Sequence, residues 1–327
     1  MKIAVVGCGA VGSYYGACLC RDGQEVHFLL RSDFEVVRRR GVRIQSPRGD
    51  FEVNPKCACR PEEIGASDLV VVALKTTANS EFGRLIPPLV GEHTLVLTLQ
   101  NGLGNEAQLA ALLGPGRILG GMCFVCLNRI EAGVIVHLAH GKIVMGEFQR
   151  SPGPRTHDIA AMIRHAGVPC EVAENLERAH WEKLVWNIPF NGLGVAGAAG
   201  FEALVNPGPD LQSSKPPGPV LPTDRLLGDP RWESLVRELM LEIVAVANAK
   251  GFDISPTLAD TQLERTRLMG AYKASTLLDF ERGRPLELES LFLLPLRQAR
   301  QAGVATPRLE SLSRVLQQLD PAGWPHS

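Results

Sequence analysis

Met1-Lys-Ile-Ala-Val-Val-Gly-Cys-Gly-Ala-Val-Gly12 opens the chain and narrows the choice of folds more than any other stretch. Ile3 to Val6 is an unbroken apolar run, the pattern of a strand buried on both faces of a parallel sheet. It leads into Gly7-x-Gly9-x-x-Gly12. A helical stretch then runs from Ala10 to about Cys20, and a second strand follows at Glu25 to Leu30. Gly7 permits the tight turn off the strand. Gly9, without a Cβ, lets a pyrophosphate approach the backbone, and Gly12 lets the helix lie close to the strand. The free N–H groups and positive end of that helix suit phosphate. In this strand–loop–helix setting the motif predicts a dinucleotide site.

Arg31 stands at the end of the second strand, where an NAD-type fold places an acid for the ribose 2′-hydroxyl. A guanidinium there suits a 2′-phosphate and predicts NADP(H). Arg38, Arg39 and Arg40 read instead as the solvated face of a helix starting at Asp33. Val42 to Val53 reads as a hairpin or loop excursion around Pro47-Arg-Gly-Asp50. Two further strands, Asp68 to Leu74 and Leu95 to Leu99, end at Lys75 and at Gln100-Asn101-Gly102. Ligands bind at the carboxyl edge of open α/β sheets, so Lys75 and Asn101 are site candidates. A strand from Arg117 to Cys126 follows. A hairpin within Gly133 to Gly146 is expected to extend the sheet at its edge. A helix at His157 to His165 and a last strand at Gly167 to Val172 close a domain over residues 1–172.

From Asn175 the spacing turns helical, predicting an α/β protein with an N-terminal Rossmann-type parallel sheet domain and an all-helical second domain, residues 173–327. One long helix is expected from Asn175 to about Ala199, kinked near Val185 by Pro189. Gly192, Gly194, Gly197 and Gly200 suggest close packing of this helix. Residues 206–223, rich in Pro, Gly and Ser, read as a flexible insertion. Helices are expected at Trp232 to Lys250, Thr257 to Leu268, Pro285 to Gly303 and Arg308 to Leu319, before a frayed tail from Asp320 to Ser327.

Two domains also agree with 327 residues, at roughly 150 residues per domain. A net charge of −1 gives no electrostatic case for a nucleic acid or membrane partner. No apolar run approaches the ~20 residues of a membrane span. The N-terminus leads into a glycine loop rather than a cleavage site, so a soluble cytoplasmic protein is expected. Of eight cysteines, Cys123 and Cys126 lie in an expected strand as small hydrophobes. Cys57 and Cys59 form a close pair, and no metal site is expected.

The chemistry is expected in the helical half. Lys183, Asn187 and Asn191 recur every four residues and lie along one helix stripe, among Trp181, Trp186 and Phe190. Ser275 and Asp279 are also four apart, and Glu287 follows. A nicotinamide enzyme reducing a ketone needs an acid for the developing alkoxide, and a half-desolvated lysine can serve. Amides and hydroxyls can hold a carboxylate without adding a competing charge. Spacing alone favours a solvated helix face for Ser275 and Asp279 and for Glu287, and a helix-surface lysine is the commoner reading of Lys183.

The sequence resembles the 2-dehydropantoate 2-reductase (ketopantoate reductase) family over nearly its whole length. The resemblance is carried by Gly7-Cys-Gly-Ala-Val-Gly12, Lys75, Gln100-Asn101-Gly102, Trp181-Glu-Lys183-Leu with Asn187 and Asn191, and Ser275-x-x-x-Asp279 with Glu287 beyond. It implies Lys183 as the general acid, with Glu287 contacting that lysine and the substrate. Asn187, Asn191 and Ser275 match substrate-binding positions. Gly7, Cys8, Gly9, Ala10, Val11 and Gly12 match the cofactor loop, and Arg31 the 2′-phosphate position. Lys75 and Asn101 match the nicotinamide end, where Asn101 also reaches substrate. The implied activity is NADPH-dependent reduction of 2-dehydropantoate to pantoate. A small 2-keto acid is the expected partner and a homodimer the candidate assembly. Departures at Tyr272 and Phe292 leave a paralogue with another substrate, a different 2-keto acid or an imine, as the second reading. A non-catalytic NADP(H) sensor is the third.

Overall fold

The computed structural model describes residues 1–206 and 218–321. Two compact units divide the chain, Met1–Ala179 and His180–Ser327.

The first unit is built on one mixed sheet. Its strands are β1 (Lys2–Val6), β2 (Glu25–Leu29), β3 (Val42–Gln45), β4 (Phe51–Val53), β5 (Lys56–Ala58), β6 (Ser67–Val72), β7 (Val90–Thr98), β8 (Ile118–Glu131), β9 (Val134–Glu147) and β10 (Cys170–Val172). The order β5–β2–β1–β6–β7–β8 is parallel throughout. Strand order reverses between β1 and β6, the switch point at which doubly wound sheets take nucleotides. Alternate residues of β1 serve opposite faces. Ile3 and Val5 pack with the helix Ala10–Arg21, while Ala4 and Val6 pack with Phe82, Ile86 and Leu109.

Beyond β8 the sheet departs from the sequence expectation in two ways. β8 does not stop at Cys126 but runs on to Glu131. Gly133 to Gly146 is not a hairpin at an edge. After Gly133 in the turn, Val134 to Gly146 lies within the single strand β9, which pairs antiparallel with β8 and parallel with β3 and β10. The misread turn is a bulge. His140 (φ 65°) and Gly141 (φ 116°) have left-handed backbone, and the register skips Gly141 between Phe124↔Lys142 and Val125↔His140. Val42 to Val53, expected as a hairpin or loop excursion, is a hairpin, the antiparallel pair β3–β4.

The helix Leu176–Ala196 runs unbroken through Pro189 and ends in a short 3₁₀ turn, Gly197–Ala199. Its glycines make room for neighbours. A Cβ at Gly192 would stand 2.8 Å from Phe292, one at Gly194 2.6 Å from Leu277, and one at Gly197 2.4 Å from Leu221. Gly200 instead has φ +86° and turns the chain. The helix Pro230–Ala249 starts on Asp229, whose side chain accepts from Arg231 N–H, and buries a stripe from Trp232 to Ala247. The expected helix Pro285–Gly303 begins later, as a π-helical turn Glu289–Leu293 followed by the α-helix Leu294–Gln301. Helices Thr257–Arg267 and Pro307–Leu319 match expectation. Within the 206–223 insertion, residues 207–217 lie outside the described residues, as do 322–327 of the tail. The described end of the insertion is not loose: Gly218 N–H donates to Ala198 O at 2.7 Å and Leu221 N–H to Gly194 O at 2.8 Å.

Candidate active site

The glycine loop sits at the switch point. Ala73 N–H donates to Val6 O at 2.8 Å, bringing the ends of β1 and β6 together. A Cβ at Gly7 (φ +98°) would lie 2.4 Å from Leu74 N, and one at Gly12 2.3 Å from Gly7 O. Those two glycines are required by the protein's own packing. Gly9 is different, because a Cβ there would meet no described atom within 4 Å. Its bare backbone leaves space for something that is not protein. The helix Ala10–Arg21 that follows has no acid in its first turn and no side-chain cap at Gly9, so its N–H groups are available to an anion. These features fit a dinucleotide pyrophosphate.

Cys8 lies within the loop, its thiol against Val5 O (3.5 Å) and Leu29 O (3.6 Å). Burial pushes its pKa well above the ordinary thiol range, and Cys57 and Asp33 add to the effect. Cys8 is therefore a neutral thiol at neutral pH. Arg31 is exposed just past β2, and Arg38, Arg39 and Arg40 are exposed on the helix Phe34–Arg40.

Lys75 is exposed at the start of the 3₁₀ turn Thr76–Glu81, and half-buried Asn101 follows β7. A chain of side-chain amides joins the two loops. Thr98 Oγ1 donates to Gln100 Oε1 (3.0 Å), and Gln100 Nε2 to Asn79 Oδ1 (2.8 Å). Asn79 Nδ2 donates to Asn105 Oδ1 (2.9 Å), and Asn105 Nδ2 to the carbonyl of Asn101 (3.1 Å). Gln100 and Asn105 are buried. Sequence reasoning noted Gln100 only within a motif and missed Asn79 and Asn105. An Asn at position 79 carries no periodic signal that would mark it.

In the second unit, Lys183 is half-buried while Asn187 and Asn191 are buried, all on the helix Leu176–Ala196. Asn191 Nδ2 donates to Asn187 O (3.0 Å). Its Oδ1 accepts from Thr276 N–H (3.2 Å) and Thr276 Oγ1 (2.8 Å). Thr276 follows Ser275, the first residue of the helix Ser275–Glu281. Asn191 and the start of the Ser275 helix are thus held together. Glu287 is buried just before the π-helical turn, whose Phe292 reaches Gly192 on the lysine's helix. Trp186 stacks near Phe190 (centroids 5.0 Å) and Tyr272 (6.3 Å), and its Nε1 donates to Thr266 Oγ1 at 2.9 Å. Among the described residues no cluster of three or more His, Cys, Asp or Glu could hold a metal ion, and no helix is long and apolar enough to cross a membrane.

Residues 3–150 match the family described as Ketopantoate reductase PanE/ApbA, and residues 220–320 match its C-terminal counterpart. A 2-dehydropantoate 2-reductase of a Nostoc species is 38% identical, over 98% of this chain and 95% of that protein. The crystal structure of 2-dehydropantoate 2-reductase from Geobacter metallireducens is 46% identical, with a TM-score of 0.87 over 97% of this chain and 99% of that one. The corresponding Methylococcus capsulatus structure is 30% identical, with a TM-score of 0.82 over 97% and 96%. With both halves matched and the fold shared end to end, the chain belongs to the ketopantoate reductase family of oxidoreductases.

Proposed function

We propose that the protein reduces 2-dehydropantoate to pantoate with NADPH, and that it does so in the cytoplasm. The observation that carries this reading is the helix stripe of Lys183, Asn187 and Asn191, tied through Thr276 to the helix that begins with Ser275. Residues 1–172 form the cofactor domain in this reading, and residues 173–327 the substrate domain.

NADPH, when bound, supplies the hydride. The chain's own residues do the rest. The loop Gly7, Cys8, Gly9, Ala10, Val11 and Gly12 cradles the pyrophosphate on backbone N–H groups. Arg31 pairs with the ribose 2′-phosphate. Lys75 and Asn101 serve the nicotinamide end, and Asn101 also meets the substrate. Lys183 Nζ donates the proton that neutralises the developing alkoxide, and its charge stabilises that oxygen beforehand. Glu287 orients Lys183 and contacts the substrate. Asn187, Asn191 and Ser275 form the polar wall for the rest of the acid, and Asn191 also fixes where Ser275 stands.

The test is NADPH oxidation followed by absorbance with 2-dehydropantoate, 2-ketoisovalerate and pyruvate, repeated with NADH. Turnover confined to 2-dehydropantoate and NADPH is expected. Turnover of another keto acid would move the substrate and keep the chemistry. Tight cofactor binding with no turnover would overturn the reading in favour of a sensor.

A further inference from the structure

Arg31 is not the whole of the charge at the end of β2. Asp33 follows it, about 20 residues beyond the glycine loop, the sequence distance at which dinucleotide folds carry the acid that reads the ribose. A carboxylate near the adenosine ribose accepts from a 2′-hydroxyl and repels a 2′-phosphate. Left alone, Asp33 would oppose Arg31. It is not left alone. Arg129 Nη2 stands 2.5 Å from Asp33 Oδ1, and Ser32 Oγ donates to the same oxygen at 2.9 Å. The Asp33 side chain is only 9% exposed, against 35% for Arg129. Asp33 and Arg31 share the turn that leaves β2, where Phe34 N–H donates to Arg31 O at 3.3 Å.

Arg129 reaches Asp33 because β8 outruns its parallel partner. The β7–β8 ladder ends at Thr98↔Gly120, and β8 continues with β9, which pairs with β3 just after the helix Phe34–Arg40. A strand stopping at Cys126 would not have carried Arg129 there.

We propose that Arg129 is a specificity-determining residue for the cofactor: it neutralises Asp33, so that Arg31 acts unopposed on a ribose 2′-phosphate. This inference rests on the NADP(H) reading above. With Arg129 the group Arg31, Asp33 and Arg129 carries a net positive charge. Without it, the positive charge of Arg31 is cancelled by Asp33.

The test is calorimetric titration of the full chain with 2′-phospho-ADP-ribose and with ADP-ribose, fragments that lack the nicotinamide. Thermal melting checks that each variant is folded. Wild type is expected to prefer the 2′-phosphorylated fragment. Arg129→Gln is expected to lower that preference by roughly tenfold, through weaker binding of the phosphorylated fragment. Adding Asp33→Asn to Arg129→Gln is expected to restore it, because the repelling charge is gone. A merely structural role for the ion pair predicts no such restoration. Arg129→Gln leaves the buried Asp33 carboxylate with Ser32 Oγ but without its charge partner, so Asp33→Asn alone is the second variant. It is expected to keep or raise the preference. An unchanged preference in folded Arg129→Gln, no recovery in the double variant, or a lower preference in Asp33→Asn would each overturn the proposal. Wild type favouring ADP-ribose would instead bring down the NADP(H) reading itself.

Discussion

Asn191 on the lysine's helix caps a different helix through Thr276. Its Oδ1 accepts from Thr276 N–H at 3.2 Å and from Thr276 Oγ1 at 2.8 Å, while Ala274, the residue preceding the helix Ser275–Glu281, offers no side-chain cap. A cap normally comes from the residue next to the helix. Here it comes from 85 residues away, so the orphan N–H of one helix sets its distance from the other.

Asn191→Ala removes that acceptor and leaves buried donors on Thr276, a loss of about 2 kcal/mol. Urea unfolding measures it. The KM for the keto acid is expected to rise more than kcat falls, since Ser275 shifts while Lys183 stays. Unchanged stability would show that the cap contributes nothing.

The amide chain from Thr98 to Asn101 predicts a second effect. Asn79→Ala deletes the link between Gln100 Nε2 and Asn105 Oδ1, leaving two buried groups unpaired at a cost of about 1–3 kcal/mol. Both loops that carry Lys75 and Asn101 then loosen. Weaker NADPH binding and a higher substrate KM should appear together in steady-state kinetics. An effect on only one of them would contradict a shared support.

His137 predicts a pH dependence. It is buried on β9, with Nδ1 at 2.9 Å from Ser46 Oγ and Nε2 at 3.2 Å from His140 O. Burial lowers its pKa from 6.5, the His140 carbonyl opposes that, and the Arg48 charge adds to it. The folded protein thus binds this proton less tightly than the unfolded chain. Its contribution is complete above the unfolded pKa and is lost as pH falls through the folded one. Melting temperature should therefore drop less steeply for His137→Gln than for wild type between about pH 7.5 and 5. Parallel curves would rule His137 out as a source of acid sensitivity.

The parallel half of the sheet was legible because its signals are local. A strand, three spaced glycines and a helix occupy residues 2–21. Gly7 and Gly12 answer to contacts within that stretch or with the end of β6, while Gly9 leaves open space. The lysine stripe was legible for the same reason, since helical spacing brings Lys183, Asn187 and Asn191 into line. What escaped was long-range or irregular. The bulge at His140 and Gly141 has the residues of a turn, and only pairing with β8 turns it into part of a strand. The π-helical turn at Glu289–Leu293 has no spacing of its own. Asn79–Asn105 and Asp33–Arg129 are separated by 26 and 96 residues. Such pairs leave no periodic trace in either partner's neighbourhood.

The central claim is that Lys183 supplies the proton. The most direct measurement is single-turnover NADPH oxidation with 2-dehydropantoate, comparing wild type with Lys183→Ala, alongside NADPH binding to each. The variant is expected to bind NADPH as wild type does and to transfer hydride about a thousandfold more slowly. Near wild-type hydride transfer in Lys183→Ala would contradict the account.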